Sequence, residues 1–198
     1  MKNGKYLRGE IINRTIYGSI YKGKDLETDE IVTIKQISKY YFNLYKSLEN
    51  KFIKEVNLLK NLPKTIKYSC KYKDFIETKS NFYIIRTYYD DKLSNFFLTK
   101  EKLSPNLIKK IFKQLNEVIK ELLNNKINHI DIKLENILIK STEAEKTNFD
   151  SFLLGYGICE NDDDNRLIQT CIGSPAIMDP YTFMRLNFQE KYKNIIIY

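Results

Sequence analysis

The sequence predicts an α+β fold in two parts, a strand-rich one followed by a mainly helical one, and three observations carry the prediction. Between Lys5 and Thr87, short runs rich in β-branched and aromatic residues recur between polar turns. One amphipathic segment, Ser47 to Leu62, interrupts them with apolar residues at helical spacing. From Ser104 the apolar period becomes that of a long helix, which runs into the polar stretch His129 to Asn136. At 198 residues the chain can bury a substantial core, as one domain or as two small lobes around a cleft.

Composition narrows the function classes. Charged residues at 29% and apolar ones at 42% fit a soluble globular protein. The formal net charge of +8 invites a nucleic-acid or membrane partner. However, Lys, Asn, Ile, Tyr and Phe are inflated together while Gly, Ala and Trp are scarce, the pattern of an AT-rich coding sequence. No long single-sign block or aromatic-interleaved basic helix is present, so neither a nucleic acid nor a membrane is expected as partner. Three cysteines, Cys70, Cys159 and Cys171, with no C-x-x-C pair argue against a disulfide framework or zinc site and for a cytoplasmic protein. Met1 to Glu10 lacks an apolar signal core, and no run is long enough to span a bilayer.

Taken in order, Tyr6 to Ile12, Ile16 to Lys24 and Ile31 to Ile37 read as strands, with Asp25 to Glu30 as the turn between the last two. The helix Ser47 to Leu62 presents Leu48, Phe52, Val56 and Leu59 on one side and stops before Pro63. Ile66 to Cys70, Tyr72 to Glu77 and Asn81 to Thr87 read as further strands of an antiparallel sheet of about five. After a short helix near Lys92 to Thr99, Ser104 can cap and Pro105 can open the longest helix. Its stripe is Leu107, Ile108, Ile111, Phe112, Leu115, Val118, Ile119, Leu122 and Leu123.

The stretch His129-Ile130-Asp131-Ile132-Lys133-Leu134-Glu135-Asn136 sets an acid, a cation and an amide at fixed spacing before the apolar run Ile137-Leu138-Ile139. An Asp can orient a hydroxyl or take its proton, a Lys can neutralise a phosphate oxygen, and an Asn carbonyl can hold a metal. The spacing resembles H-R-D-L-x-x-x-N, the catalytic loop of the protein kinase family, with Ile130 in place of the Arg. Other stretches resemble that family in the same order. Val32-Thr33-Ile34-Lys35 matches V-A-I-K, Glu55 stands where a helix glutamate pairs with that lysine, and Gly18 keeps one glycine of the phosphate loop.

The resemblance implies a bilobal protein-kinase-like domain over 1–198, with a small lobe over 1–88 and a partial, mainly helical lobe over 89–198. It implies ATP in a cleft ringed by Lys35, Glu55, Gly18, Ile12, Ile20, Thr33, Leu138 and the backbone of Thr87 and Tyr89. Asp131 and Lys133 would be catalytic, and Asn136 would hold a metal ion. Arg86 would sit at the back of the pocket, reaching Glu55 in competition with Lys35. An alignment one residue out would make it an exposed strand charge instead. His129 is expected to pack structurally. Lys133 with Gly173-Ser174-Pro175 resembles the Ser/Thr type, and the partner would be a protein.

Several positions depart from the pattern. Asn13 and Thr15 replace two glycines that would let backbone amides approach phosphates. In Phe152-Leu153-Leu154-Gly155-Tyr156-Gly157 the metal-binding Asp of D-F-G is Gly155, and Asp150 lies about 16 Å back along the strand at ~3.3 Å per residue. Tyr181 stands for the Glu of M-A-P-E, while Asp162-Asp163-Asp164 and Thr170 fall where an activation segment would run. The chain ends at Tyr198 where the central helix of the large lobe would begin, which is expected to leave part of the Pro105 to Lys126 helix uncovered. Two functions remain: a pseudokinase acting through protein contacts, with Mg²⁺ binding impaired, or a Ser/Thr kinase transferring the ATP γ-phosphate to protein hydroxyls.

Overall fold

The computed structural model describes residues 4–15, 17–44, 46–98, 102–141, 148–156 and 160–161. Its first layer is an antiparallel sheet of β1 (Tyr6–Thr15), β2 (Gly18–Asp25), β3 (Ile31–Ser38), β4 (Tyr72–Glu77) and β5 (Asn81–Thr87), in the order β1-β2-β3-β5-β4. The β2–β3 turn forms because Asp25 accepts the Glu27 amide at 3.0 Å while its own amide reaches the Glu30 carbonyl at 2.9 Å. Alternation sorts the two faces of the sheet. Val32 and Ile34 enter one buried cluster with Tyr6, Ile76, Tyr83 and Ile85, which turns Thr33, Lys35 and Ile37 to the other face.

Two helices follow β3: the short α1 (Tyr40–Leu44) and α2 (Lys46–Asn61). Phe52, Val56 and Leu59 of α2 are buried, as their spacing predicts, in a cluster with Ile37, Phe42, Ile66 and Ile84. That cluster continues through Val118, Leu122, Ile127, Leu153 and Tyr156, so one core joins the sheet and α2 to the helical part.

The predicted strand Ile66 to Cys70 is not a strand. A turn from Pro63 to Ile66 and a left-handed Tyr68 (φ 54°) break its extended path. What remains is one parallel bridge, Ser69 to Leu153, in which Cys70 donates to the Leu153 carbonyl at 2.9 Å and Leu153 donates to that of Tyr68 at 2.7 Å. This bridge ties the sheet layer to the strand that leads to Gly155.

In the helical part, β6 (Asp91–Lys92) precedes α3 (Leu93–Leu98), and α4 (Pro105–Asn124) is the long helix. Ser104 caps α4 by accepting the Leu107 amide at 3.2 Å, with Pro105 in the first turn. The apolar stripe of α4 divides: Leu107, Ile111, Leu115, Val118 and Leu122 are buried, whereas Ile108, Phe112 and Leu123 are exposed. Beyond it lie β7 (Ile127–Asn128), β8 (Ile137–Ser141), β9 (Phe149–Leu153) and β10 (Glu160–Asn161), in a β6-β8-β9 sheet and a β7-β10 pair. No helix among the described residues is long and apolar enough to cross a membrane. Gly157, Cys159, Asp162-Asp163-Asp164, Thr170, Cys171, Gly173-Ser174-Pro175 and Met178 to Tyr181 lie outside the described residues.

Candidate nucleotide and phosphoryl-transfer site

The site begins with an ion pair between β3 and α2. Lys35 shares the inner face of the sheet with Thr33, and Glu55 lies on α2 between the buried Phe52 and Val56 turns. Lys35 Nζ stands 3.2 Å from both Glu55 carboxylate oxygens, with both side chains mostly buried. The pair anticipated from the order of Lys and Glu is therefore formed, and it fixes a cation at a set height above the sheet.

Arg86 does not compete for Glu55, nor is it an exposed strand charge. It is 8% exposed and pairs across the ladder with Thr33, on the face that carries Lys35, yet it makes no ion pair with Glu55. Its polar neighbours are Cys70 and Tyr89. Burial pushes the Cys70 thiol and the Tyr89 phenol up, so both stay neutral at physiological pH. The expectation failed because the Lys35 ammonium, on a long flexible stem, already takes both oxygens of Glu55.

The stretch 129–136 forms a tight loop ending in a 3-10 turn over Leu134–Asn136. Ile130 is left-handed (φ 62°), an unfavourable conformation for a β-branched residue, and the Asp131 amide closes the bend by donating to the His129 carbonyl at 2.8 Å. Asp131 is buried, and Lys133 Nζ lies 2.9 Å from its Oδ2. Asn136 Nδ2 donates to the same Oδ2 and to the Asp131 carbonyl, each at 2.8 Å. The loop thus brings together Asp131, Lys133 and Asn136, the three residues its spacing singled out.

His129 packs as expected. Its ring meets Tyr156 edge-on with centroids 5.3 Å apart, and Nε2 donates to the Leu154 carbonyl at 2.9 Å. Burial holds its pKa below the usual 6.5. As pH falls through the unfolded value, the unfolded chain takes up a proton that the folded one refuses, so stability falls. Melting temperatures should therefore drop between about pH 7 and pH 5, and less steeply in His129→Gln, whose amide can still donate to Leu154.

Gly155 (φ 101°) sits directly against this loop. A Cβ placed there would lie 2.5 Å from Asn136 Nδ2 and 2.6 Å from its Cγ. The Asn136 side chain therefore fills the space that a larger residue at 155 would need. A divalent cation such as Mg²⁺ is bound through one or two carboxylates together with phosphate and water oxygens; the side-chain oxygens that meet in this loop are those of Asp131 and Asn136. Gly155 supplies no side-chain oxygen, and Asp131 Oδ2 is shared by Lys133 and Asn136. Asp150 is engaged elsewhere, with Gln114 at 2.7 Å and Lys110 at 3.0 Å.

The remaining predicted positions are spread along the strands. Gly18 has a packing reason to be glycine: an added Cβ would collide with the Gln36 backbone oxygen and lie 3.1 Å from Ile37 Cα. Ile20 pairs with Lys35 and with Asn13 on its two sides, Ile12 is exposed on β1, and Thr33 is buried on β3. Leu138 is half-buried on β8, opposite Phe152. The Thr87 amide donates to the Lys71 carbonyl at 3.0 Å and is thus committed within the chain. Tyr89 is buried 4.8 Å from the Phe152 ring, and its hydroxyl accepts the Lys71 amide.

Two buried polar links escaped the sequence reading. Gln114, on the core side of α4, accepts the Ser151 amide and hydroxyl at 2.9 and 2.8 Å, pinning the helix to β9. The Tyr156 hydroxyl lies 2.7 Å from Ser69 Oγ and locks the residue after Gly155 onto the interlobe bridge. A Gln between Ile111 and Leu115 in an apolar stripe was the available signal for the first; nothing local signals the second.

A five-stranded sheet with a Lys–Glu pair to its helix, joined by one core to a long helix and an Asp–Lys–Asn loop, defines a bilobal α+β domain. The protein kinase domain family matches residues 6–190, and the chain belongs to the protein kinase family. It is 29% identical over 183 residues to the serine/threonine-protein kinase stk11 homolog of Dictyostelium discoideum, covering 88% of this chain and 30% of that protein. It is 33% identical over 139 residues to MAP3K epsilon protein kinase 1 of Arabidopsis thaliana, covering 69% and 10% respectively. For the CTD kinase subunit alpha of Saccharomyces cerevisiae the identity is 32% over 135 residues, 68% of this chain and 25% of the other. The matched region is thus under a third of each relative's length.

Proposed function

We propose that this Ser/Thr protein-kinase-like domain is a pseudokinase, holding a nucleotide weakly in its cleft and acting through protein contacts. The observation that carries the reading is Gly155 with Asn136 packed against it, which leaves no carboxylate where the family places its metal ligand. Without a metal to neutralise the transferring phosphoryl group, that task falls to cations such as Lys35 and Lys133, each already paired with a carboxylate. The loss is on the order of a thousandfold or more in rate.

A second reading, a weakly active kinase transferring the ATP γ-phosphate to protein hydroxyls, is favoured by the intact Lys35–Glu55 pair and the Asp131–Lys133 contact. In it Asp131 orients the hydroxyl and Lys133 stabilises developing charge.

Phosphoryl transfer to a generic protein substrate, with Mg²⁺ and with Mn²⁺, separates the two. The pseudokinase reading expects wild type and Asp131→Asn to be indistinguishable from background. Metal-dependent turnover that Asp131→Asn abolishes would establish the second reading. ATP-induced thermal shift, small in wild type and absent in Lys35→Met, tests the cleft itself.

A further inference from the structure

The loop after α4 inverts the usual order of burial: the polar His129 and Asp131 are buried, while the apolar Ile130 and Ile132 are exposed. Ile130 also holds a left-handed backbone (φ 62°) that a β-branched residue disfavours, so its outward placement is kept against a local cost. Facing it, α4 carries a second apolar row in which Ile108, Phe112 and Leu123 are exposed and Ile119 is half-buried. Ile119 and Leu123 meet Ile130 and Ile132 in a groove of about 430 Å³. At 1.5 Å per residue the row from 108 to 123 runs ~22 Å, about four helical turns. Charge borders it on one side. Lys109, Lys113 and Lys120 are exposed next to the row, whereas Glu117 and Glu121 lie farther round the helix and face Lys67, 3.9 Å from its Nζ and 2.9 Å from its amide respectively. A second copy of this chain would set like rows of lysines together, and the net charge of +8 adds to the repulsion. A straight apolar seat with a basic border fits an amphipathic helix of opposite charge.

We propose that the groove between α4 and the 130–132 loop docks an acidic amphipathic helix of a partner protein, its apolar side seated on Phe112, Leu123 and Ile132 and its carboxylates against Lys109, Lys113 and Lys120. This deepens the reading of a domain that acts through protein contacts and rests on it for the expectation of a partner. The apolar row supplies the affinity, and the lysine border selects the sign of the partner and its direction along α4.

The probe is a fluorescent helical peptide of about 18 residues with leucines at i, i+3, i+4 and i+7 spacing and glutamates elsewhere, compared with its lysine counterpart. Each is titrated with the whole 198-residue protein and followed by anisotropy. The glutamate peptide should bind about tenfold more tightly than the lysine one, the combined size of three exposed pairs, and less tightly as salt rises. Changing Lys109, Lys113 and Lys120 together to Glu should reverse that order, a result that a damaged fold does not give. Phe112→Ala and Leu123→Asp should each weaken the glutamate peptide about tenfold or more, with circular dichroism establishing that the variants are folded. The proposal is overturned if neither peptide binds, if the two bind alike, or if the triple variant keeps the wild-type order. Should residues 162–198 or a second copy fill the groove, the peptide will fail to bind while Leu123→Asp lowers the melting temperature or splits a dimer in sedimentation, and either result overturns it too. Phosphoryl transfer that Asp131→Asn abolishes would sink the pseudokinase reading and leave the peptide affinities where they are, so the two failures are distinct.

Discussion

Gly155→Asp is expected to leave phosphoryl transfer at background and to lower stability by about 1–3 kcal/mol, as overpacking of a filled site does. Counting ligands alone gives the opposite expectation. Restoring the missing carboxylate would return a metal ligand and with it on the order of a thousandfold in rate. The geometry decides against it. The backbone at 155 has φ 101°, outside the range L-residues adopt readily, and a Cβ there would crowd three atoms of the Asn136 side chain within 3.0 Å. Asn136 cannot simply swing aside, because its Nδ2 makes both bonds to Asp131. Displacing it releases the buried Asp131 carboxylate from one of its donors and disturbs the Asp131 loop the substitution was meant to complete. Denaturant melts and transfer assays on the same preparation check both halves, with Gly155→Ala as a control that adds the Cβ without the carboxylate. Metal-dependent turnover in Gly155→Asp would refute the packing argument.

Much of the fold was legible because local chemistry and tertiary contacts agree. Ser104 and Pro105 start α4 where the sequence places it, the β2–β3 turn is closed by Asp25, and α2 buries the residues its period selects. The Lys35–Glu55 pair and the Asp131 loop were legible for a different reason: fixed order along the chain marks residues that meet only after folding. What failed were statements about partners that no local pattern encodes. Arg86 reads equally as a buried or an exposed cation, since strand alternation gives its face but not what covers that face. The segment Ile66 to Cys70 is rich enough in apolar residues for a strand, yet a left-handed Tyr68 and the bridge to Leu153 turn it into the joint between two layers. At Gly18 the neighbouring strand alone already requires glycine, whatever the loop binds.

Leu122→Ala is expected to destabilise the protein by about 2–5 kcal/mol, while Phe112→Ala on the same helix should change stability by no more than about 0.5 kcal/mol. By sequence the two are equivalent members of one apolar stripe, and by size Phe112 has more to lose. Leu122 is 1% exposed and Phe112 is 68% exposed, so only the first removes side-chain volume from a packed interior. The cavity at 122 opens in the cluster that joins α4 to β9, α2 and the inner face of the sheet. Because Phe52 and Val56 flank Glu55 in sequence and belong to that cluster, the damage should reach the Lys35–Glu55 pair as well as the loop leaving α4. Urea unfolding measures the first effect as a fall in midpoint with unchanged slope. Nucleotide-induced thermal shift, lost in Leu122→Ala and kept in Phe112→Ala, measures the second. Equal stability losses in the two variants would mean that the two layers do not share one core, and the Lys35–Glu55 pair would then have no fixed place relative to the Asp131 loop.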